Sequence, residues 1–214
     1  MDRLSQVPHT TIQRLPLYLR CLLQAQAMMM PVISSVGIAD MCGTNAAQVR
    51  KDFSYLGELG TRGIGYDVEA LITHFSRILG ITERRRAAII GYGKFGAALE
   101  GYSGFAERGF KFVAILDIDP DKIGTEVGDL VVESMDEAVS VLRDRDVEIV
   151  IISTPASAAQ AAADVAAEAG VKAILNLAPV LLTTPSDVMV RQVCLSTDLQ
   201  ILSFHLAQDS SGEA

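Results

Sequence analysis

Apolar residues in the first third of the chain recur at helical spacing and predict four helices. In the first, Leu15, Leu19 and Leu22 share one face, and Pro31 ends the pattern. The second and third patterns are separated by about four residues, which is typical of a helix-turn-helix. The predicted helices are Thr10–Met30, Val36–Met41, Ala46–Leu56 and Val68–Gly80.

The third predicted helix has clear end signals and is followed by a turn-rich segment. Asn45 can cap its first turn, with Gln48 placed to complete a capping box. Glycines recur at positions 57, 60, 63 and 65, which indicates a hairpin with Arg62 at its tip. This segment therefore predicts a helix-turn-helix that runs directly into a hairpin.

From Ala87 onward, short apolar runs alternate with helical segments. Runs such as VEIVII and KAILNL are almost entirely apolar, which is typical of strands covered on both faces. The alternation predicts an α/β fold with a doubly wound parallel sheet. The predicted strands are Ala87–Ile90, Phe112–Leu116, Asp146–Ile152 and Val171–Asn176, with a helix at Ala156–Ala169.

A final apolar helix is predicted at Ser196–Ala207. Leu199, Leu202 and Leu206 lie on one side of it. Because an apolar helix at a chain end must bury that side, we expect it to pack against its own domain or a partner chain.

The composition narrows the class of protein. Half of the 214 residues are hydrophobic, but no apolar stretch approaches the roughly 18 residues of a membrane span. The N-terminal segment lacks the apolar core of a signal peptide, so we expect a cytoplasmic protein. Cys21, Cys42 and Cys194 form no CxxC pair, and we interpret them as free thiols rather than zinc ligands or a disulfide.

The charge is distributed unevenly between the two halves of the chain. Residues 1–82 carry seven basic and six acidic side chains, whereas residues 83–214 carry eleven and twenty, giving +1 and −9. An acidic second half would repel DNA and confine it to the first half. The run Arg84–Arg86 marks the boundary and is open to three interpretations: a solvated linker, a DNA contact, or ion pairing with the acidic half.

The segment GYGKFG supplies candidate dinucleotide-binding residues. It follows an apolar strand and opens a helix, the context in which GxGxxG holds a pyrophosphate. Gly91 allows a tight turn, Gly93 lets the backbone approach the phosphates, and Gly96 lets the helix pack close to the sheet. Lys94 adds a cation near the N–H groups of the helix N-terminus. The alternative is a tightly packed glycine turn that binds nothing.

Asp117 is the candidate for the ribose of the dinucleotide. It lies 21 residues after Gly96, at the end of the next strand, where a carboxylate accepts a hydrogen bond from the ribose 2′-hydroxyl. No arginine follows it closely to accommodate a 2′-phosphate. The sequence therefore predicts NAD(H) rather than NADP(H).

Two later loops are candidates for the nicotinamide end. Thr154-Pro155 and Asn176–Pro179 follow predicted strands and would open at the carboxyl edge of the sheet, where ligands bind in this fold. The alternative is that Asn176 is an ordinary turn residue and that Pro179 stiffens its loop.

The third predicted helix carries candidate DNA-binding residues. Val49, Phe53 and Leu56 would face inward and leave a polar face outward. Glutamine and arginine can read base edges, lysine, serine and tyrosine hold phosphates, and an arginine at a glycine-rich tip suits a minor groove. With one arginine and one lysine in the helix, a solvated surface helix is the alternative. The candidates are Gln48, Arg50, Lys51, Ser54, Tyr55 and Arg62.

The chain resembles the Rex family of redox-sensing transcriptional repressors along nearly its whole length. The most specific string is AAQVRKDFSYLGELGTRGIGYDV, at 46–68. The other matching strings are RLPLYLR (14–20), GYGKFG (91–96), YSGF (102–105), LDIDPDKIG (116–124), KAILNLAPV (172–180) and the Phe204–Leu206 tail.

This resemblance implies a fold in three parts and a regulated DNA-binding function. The parts are a winged-helix DNA-binding domain at 1–83, a Rossmann NAD(H)-binding domain at 84–194, and a C-terminal helix and tail at 195–214 that is exchanged between subunits of a homodimer. It implies a repressor of a palindromic double-stranded operator, with NADH releasing the DNA and NAD+ competing. The residues assigned to the dinucleotide are Gly91, Tyr92, Gly93, Lys94, Phe95, Gly96, Asp117, Thr154, Pro155, Asn176, Ala178 and Pro179.

One departure from the family pattern concerns the redox switch. Family members carry an aspartate before the exchanged helix, in a polar switch with an arginine and a tyrosine. Arg20 and Tyr102 match those two partners, but Cys194 replaces the aspartate. Because a thiol is normally uncharged at neutral pH, the charge-assisted bond would be lost. The alternative function is a Rex-like paralogue that binds DNA as a dimer with a lost or altered NADH response.

An NAD-dependent oxidoreductase is the third class considered. The chain has no room for a separate substrate domain after the predicted Rossmann core. His205 lies on the apolar tail, and no His–Asp or Tyr–Lys pair stands out as a proton-transfer pair. We therefore predict that the protein is not an enzyme.

Overall fold

The computed structural model describes residues 7–61 and 63–211, without the side chains of 209–211. Arg62, the predicted tip of the hairpin, lies outside the described residues. The chain forms two compact units, Met1–Glu83 and Arg84–Ala214, and each unit is described by itself.

The first unit consists of helices around one apolar core, with a small antiparallel sheet. Its described elements are α1 (His9–Ala27), β1 (Val32–Ile33), α2 (Ser35–Cys42), α3 (Ala46–Leu56), β2 (Tyr66–Asp67) and α4 (Val68–Ile78). Phe53 of α3 lies within this core. Its ring is edge-on to three others at centroid distances of 5.0 to 5.5 Å, those of Tyr18, Tyr66 and Phe75.

Local hydrogen bonds explain where these helices begin. Ser34, Asn45 and Asp67 each accept a hydrogen bond from the backbone N–H three residues on, at 3.0, 2.8 and 2.7 Å. They therefore cap α2, α3 and α4. The first helix ends at Ala27 rather than at the predicted position, because Met29 adopts a left-handed conformation with φ of 58°.

A disulfide joins Cys21 to Cys42, so the prediction of three free thiols is wrong. The first cysteine is buried on α1 and the second ends α2, and the packing of these helices brings their Cα atoms within 6.3 Å. A separation of 21 positions forms no recognisable motif, so the pair is evident from the packing of the two helices and not from residue spacing. Cys194 is free.

The second unit is the predicted doubly wound α/β fold. Its described strands are β3 (Arg85–Ile90), β4 (Phe110–Asp117), β5 (Glu126–Val127), β6 (Leu130–Ser134), β7 (Ile149–Ile152), β8 (Ala173–Asn176) and β9 (Met189–Gln192). They lie in the order β5-β6-β4-β3-β7-β8-β9, and every neighbouring pair is parallel except β5 with β6.

The order of these strands locates the ligand crevice of the fold. The chain runs from β3 outward through β4 to β6, and then returns to β7 on the other side of β3. In doubly wound sheets, ligands bind beyond the carboxyl ends of the strands at this switch point. The crevice therefore lies where β3 and β7 end, at Ile90 and Ile152.

The described helices of this unit are α5 (Lys94–Glu100), α6 (Gly104–Glu107), α7 (Ala138–Asp144), α8 (Ala156–Glu168) and α9 (Leu195–Ser211). The sequence analysis predicted neither α7 nor the strands β5, β6 and β9. Each of these is short, and β9 alternates exposed with half-buried residues at the sheet edge, so none carries a strong apolar period.

The last helix, α9, exposes its apolar residues. Leu195, Leu199 and Leu202 are 60%, 65% and 58% exposed. The helix was predicted as Ser196–Ala207 and extends to Ser211. Across the described residues, no helix is both long and apolar enough to cross a membrane.

The arginine run at the boundary pairs with acidic residues of the second unit. Arg85 Nη1 lies 2.5 Å from Glu148 Oε1, and Arg86 N donates to Glu148 Oε2 at 2.9 Å. Arg86 also forms an ion pair with Asp146. For Arg85 and Arg86, the structure therefore favours ion pairing over a solvated linker.

Candidate functional site

An exposed polar face of α3 gathers four of the predicted DNA-binding residues: Arg50, Lys51, Ser54 and Tyr55. Ser54 Oγ donates to the Lys51 carbonyl at 2.7 Å. Arg50 Nη1 donates to Ser35 Oγ at 3.0 Å, which holds the guanidinium beside the start of α2. The face therefore presents two cations and two hydroxyls to solvent.

A groove of about 530 Å³ lies between α3 and the glycine-rich hairpin. The hairpin is closed by Thr61 N, which donates to the Gly65 carbonyl at 3.1 Å. Arg50, Ser34 and Ser35 line the groove with groups that donate to phosphate oxygens.

Gln48 differs from the prediction that it faces outward. Its side chain is half-buried, and Nε2 donates to Asp52 Oδ1 at 3.0 Å. The Gln48 amide is therefore engaged with Asp52 rather than returning to Asn45, so the predicted capping box is only half formed. Asn45 still accepts its hydrogen bond from Gln48 N.

Asp52 is the important residue of this unit that the sequence analysis missed. Its carboxylate is buried and accepts hydrogen bonds at 2.6 to 2.8 Å from side chains of α1, namely Thr11, Arg14 and Tyr18. These bonds tie α3 to α1 through the core. Helical spacing does give the signal, because position 52 lies on the same face as Val49 and Leu56.

The Asp52 cluster is an ion pair at neutral pH. Burial alone would raise the pKa of Asp52, but hydrogen bonds from Arg14, Tyr18 and Thr11 hold it below its ordinary value of 3.8. Burial and the bond to Asp52 raise the pKa of Tyr18, which keeps its hydroxyl protonated as a donor.

The loop between β3 and α5 has the backbone geometry that the dinucleotide fingerprint requires. Gly91 has φ of 99°, and a Cβ there would lie 2.9 Å from backbone atoms of Ser153. A Cβ on Gly96 would lie 2.2 Å from the Gly91 carbonyl oxygen, so only glycine lets α5 approach so closely. Around Gly93, an added Cβ would meet no described atom within 4 Å. The segment is therefore tightly packed at Gly91 and Gly96 and open at Gly93.

Asp117 ends β4 beside this loop, where the sequence placed it. Oδ2 accepts from Tyr92 N at 2.6 Å and from Lys122 Nζ at 3.2 Å, and Oδ1 accepts from Asp119 N at 2.9 Å. Burial would raise the pKa of Asp117, but the two backbone donors and Lys122 lower it below its ordinary value. The carboxylate is therefore ionised and held in a fixed orientation.

Thr154 brings an unsatisfied hydroxyl to the same crevice. Its Oγ1 is buried and has no hydrogen-bond partner among the described residues. The preceding Ser153 Oγ donates to the Gly91 carbonyl at 2.7 Å, which joins the end of β7 to the glycine loop. Pro155, Lys94 and Phe95 are exposed around this junction.

Asn176 is buried, and its side chain is fully engaged within its own loop. Its Nδ2 donates to the Val180 carbonyl and to Gln192 Oε1, both at 2.7 Å, and its Oδ1 accepts from Ala178 N at 3.0 Å. Asn176 therefore shapes the loop that carries Ala178 and the exposed Pro179. Its place at a turn agrees with the alternative interpretation of this residue.

The three predicted switch residues fall in different units. Arg20 is exposed on α1 of the first unit. In the second unit, the Tyr102 hydroxyl accepts from Arg108 Nη1 at 3.3 Å. Cys194 Sγ lies 3.0 Å from Ser196 Oγ. Hydrogen bonds from Ser196 and from the residue that follows Ser196 lower the pKa of the Cys194 thiol to about 7.

The fold and the two sites define a class of protein in which a helix-turn-helix unit and a Rossmann-type unit share one chain. Comparison with protein families agrees with this division. A family described as putative DNA-binding protein N-terminus matches residues 6–54, and one described as CoA binding domain matches residues 82–180.

Similar proteins place the chain in a family. It is 48% identical over 207 residues to the redox-sensing transcriptional repressor Rex of Streptomyces griseus subsp. griseus, covering 97% of this chain and 81% of that protein. It is 43% identical over 209 residues to Rex of Chloroflexus aggregans, covering 98% and 99%. The chain belongs to the Rex family of redox-sensing transcriptional repressors. This confirms the predicted family and the prediction of a repressor rather than an enzyme.

Solved structures of RSP, a Rex-family repressor, have the same fold. The structure of RSP with NADH superposes with a TM-score of 0.88 at 32% identity and covers 97% of this chain and 98% of that one. The structure of RSP with NAD+ and operator DNA gives a TM-score of 0.90 at 33% identity, with the same coverage.

Proposed function

We propose that this chain is a DNA-binding repressor that senses the ratio of NADH to NAD+, and that NADH releases it from its operator. One observation carries the proposal. Over 97% of its length the chain matches a repressor whose solved structures contain NADH in one case, and NAD+ with operator DNA in another.

The exposed face of α3 supports the DNA-binding half of the proposal. Arg50, Lys51, Ser54 and Tyr55 present charged and hydroxyl groups, and the adjoining groove adds further donors. We propose that these residues, with Arg62, contact DNA, and that Gln48 supports α3 from its inner side through its hydrogen bond to Asp52.

Selection from a pool of random duplexes tests this half. The protein should enrich an inverted repeat when NAD+ is present, because a symmetric dimer reads two equal half-sites. If the wild-type protein enriches no sequence, and so behaves no differently from an Arg50→Ala variant, the DNA-binding half of the proposal is contradicted.

Three observations support a dinucleotide as the ligand of the crevice. The glycine loop is open at Gly93, the Thr154 hydroxyl is buried without a described partner, and Asp117 is held as an ionised acceptor. We propose that Gly91, Gly93 and Gly96 hold the pyrophosphate and that Asp117 holds the adenosine ribose. The flanking candidates are Tyr92, Lys94, Phe95, Thr154, Pro155, Ala178 and Pro179, with Asn176 shaping its loop.

Calorimetric titration with NADH and NAD+ tests the crevice. Both should bind one site per chain. Replacement of Thr154 by valine keeps its shape but removes the hydroxyl, and should weaken at least one of the two forms. Absence of binding by both forms would remove the sensing half of the proposal.

The exposed apolar side of α9 supports a homodimer. Leu195, Leu199 and Leu202 expose a larger fraction of their surface than a terminal helix of a stable monomer would leave in water. We propose that a second copy covers this helix and that the helix is exchanged between subunits. Sedimentation should give a dimer for the wild type and a monomer for Leu199→Glu, whereas a monomeric wild type would contradict it.

We also propose that Cys194 takes part in the redox switch with Arg20 and Tyr102. With a pKa of about 7, its thiol is partly ionised at neutral pH and supplies part of the negative charge of an aspartate. Cys194→Asp should therefore lower the NADH concentration that releases DNA. An unchanged NADH requirement would remove Cys194 from the switch and favour a paralogue with an altered response.

A further inference from the structure

Lys122 is a cation at the Asp117 carboxylate that the sequence analysis did not consider. It closes a turn that starts at Asp119, with Lys122 N donating to the Asp119 carbonyl at 3.0 Å and Pro120 at the second position. The turn returns the lysine side chain to the end of β4. Its Nζ lies 3.2 Å from Asp117 Oδ2 and 3.4 Å from Asp119 Oδ2.

The bonds that Asp117 already makes determine which of its atoms can accept a ligand hydroxyl. A carboxylate offers about two acceptor sites on each oxygen. Oδ2 uses both, for Tyr92 N and Lys122 Nζ, whereas Oδ1 uses one, for Asp119 N. Only Oδ1 keeps a site for a ribose hydroxyl, and Lys122 is the side chain that occupies the last site of Oδ2.

The two charges act oppositely on a phosphate at the ribose 2′ position. The Asp117 carboxylate, 7% exposed, would repel a 2′-phosphate at close range. Lys122 is 37% exposed and reaches the carboxylate from a solvent-facing turn, so its ammonium is free to turn toward an added anion. The sequence has no arginine close after Asp117 to accommodate a 2′-phosphate, and Lys122 supplies a cation in that place.

We propose that Lys122 is a second determinant of cofactor choice, one that orients Asp117 for a ribose hydroxyl and provides the cation for a 2′-phosphate once the Asp117 charge is removed. This inference rests on the proposed function of the crevice. It makes the choice of NAD(H) over NADP(H) a property of the pair, not of Asp117 alone.

A double-variant comparison tests the pair. NADPH affinity is measured for the wild type, Asp117→Asn, and Asp117→Asn with Lys122→Met. Asn keeps the shape of Asp117 without its charge, so the single variant should bind NADPH about tenfold more tightly than the wild type, through the charge-assisted bond to Lys122. The double variant should lose the part of the gain that Lys122 supplies and keep only the part that comes from removing the Asp117 charge. Lys122→Met alone should weaken NADH binding by about threefold, because Asp117 is then less firmly oriented.

Lys172→Met, also made in the Asp117→Asn background, is the matched control. Lys172 forms an exposed ion pair with Asp187 at the opposite end of the sheet, so its loss removes the same charge and the same kind of contact. This variant should keep the NADPH gain. A gain that Lys122→Met leaves undiminished, or that Lys172→Met reduces equally, would overturn the inference. Failure of the wild type to bind NADH or NAD+ would instead contradict the proposed function, since the NADPH comparison is made between variants.

Discussion

The two candidate sites are built in opposite ways. The α3 face presents long side chains to solvent and is supported from beneath by the buried Asp52 cluster. The dinucleotide crevice depends mainly on backbone, with Gly91 and Gly96 in positions that no other residue could take without displacing the loop. We therefore expect the first site to lose function gradually as cations are removed, and the second to lose it abruptly when backbone is displaced.

Removal of the Asp52 carboxylate should give the largest effect of any single change on the first unit. Asp52→Ala leaves Arg14, Tyr18 and Thr11 without their acceptor and should lower the free energy of unfolding by about 3 to 5 kcal/mol. Chemical denaturation, followed by a probe in the first unit, measures the loss.

Asp40→Ala is the matched control, because Asp40 is an exposed carboxylate on α2 of the same unit and should change the unfolding free energy by less than about 0.5 kcal/mol. The effect of Asp52 should also depend on pH. Because its folded-state pKa lies below 3.8, its contribution is complete at neutral pH and disappears as pH falls through that lowered pKa. Equal losses for both variants would contradict a special role for Asp52.

Gly96→Ala should have the next largest effect, on cofactor binding. The new Cβ would lie 2.2 Å from the Gly91 carbonyl oxygen. The resulting strain of about 1 to 3 kcal/mol should weaken NADH binding by about ten- to hundredfold.

Gly101→Ala adds the same methyl group at the other end of α5 without the clash, because its Cβ would lie an ordinary 3.6 Å from the Ala97 oxygen. It should bind NADH as the wild type does. If Gly96→Ala also bound normally, the tight approach of α5 would not be needed by the ligand.

The sequence predicted the glycine loop of the crevice more completely than the side-chain directions of the α3 face, for a physical reason. A turn that admits only glycine leaves a fixed spacing in the chain, as at Gly91, Gly93 and Gly96. The direction of a side chain on a helix is less strongly marked in the sequence. Gln48 was therefore predicted to face outward, although its amide donates a hydrogen bond to Asp52. The Cys21–Cys42 disulfide depends on how two helices cross, which residue spacing does not encode.

Removal of one cation from α3 should give a smaller and graded effect. Lys51→Ala should weaken DNA binding about tenfold at low salt and reduce the slope of log affinity against log salt by about 0.9. Its NADH affinity should be unchanged. Arg77→Ala is the control, because it removes an exposed cation from α4 instead. Equal salt slopes for the two variants would mean that α3 contributes no more to DNA binding than α4 does.

The smallest expected effect concerns the thiol before α9. Alkylation of Cys194 should reach half its maximal rate near pH 7, because hydrogen bonds from Ser196 and the following residue stabilise the thiolate. Ser196→Ala should move the midpoint upward, toward the ordinary value of 9.0. A midpoint near that value in the wild type would show that these bonds do not stabilise the thiolate.

The central claim is that one ligand in the crevice controls the DNA-binding unit, and one titration tests it most directly. The complex with a selected operator duplex is formed in NAD+, and its fluorescence anisotropy is followed as NADH is added. We predict that NADH dissociates the complex at concentrations near its own dissociation constant, multiplied by the factor by which the NAD+ present competes for the site, and that the same addition of NAD+ does not. A complex that survives saturating NADH would contradict redox sensing by this chain.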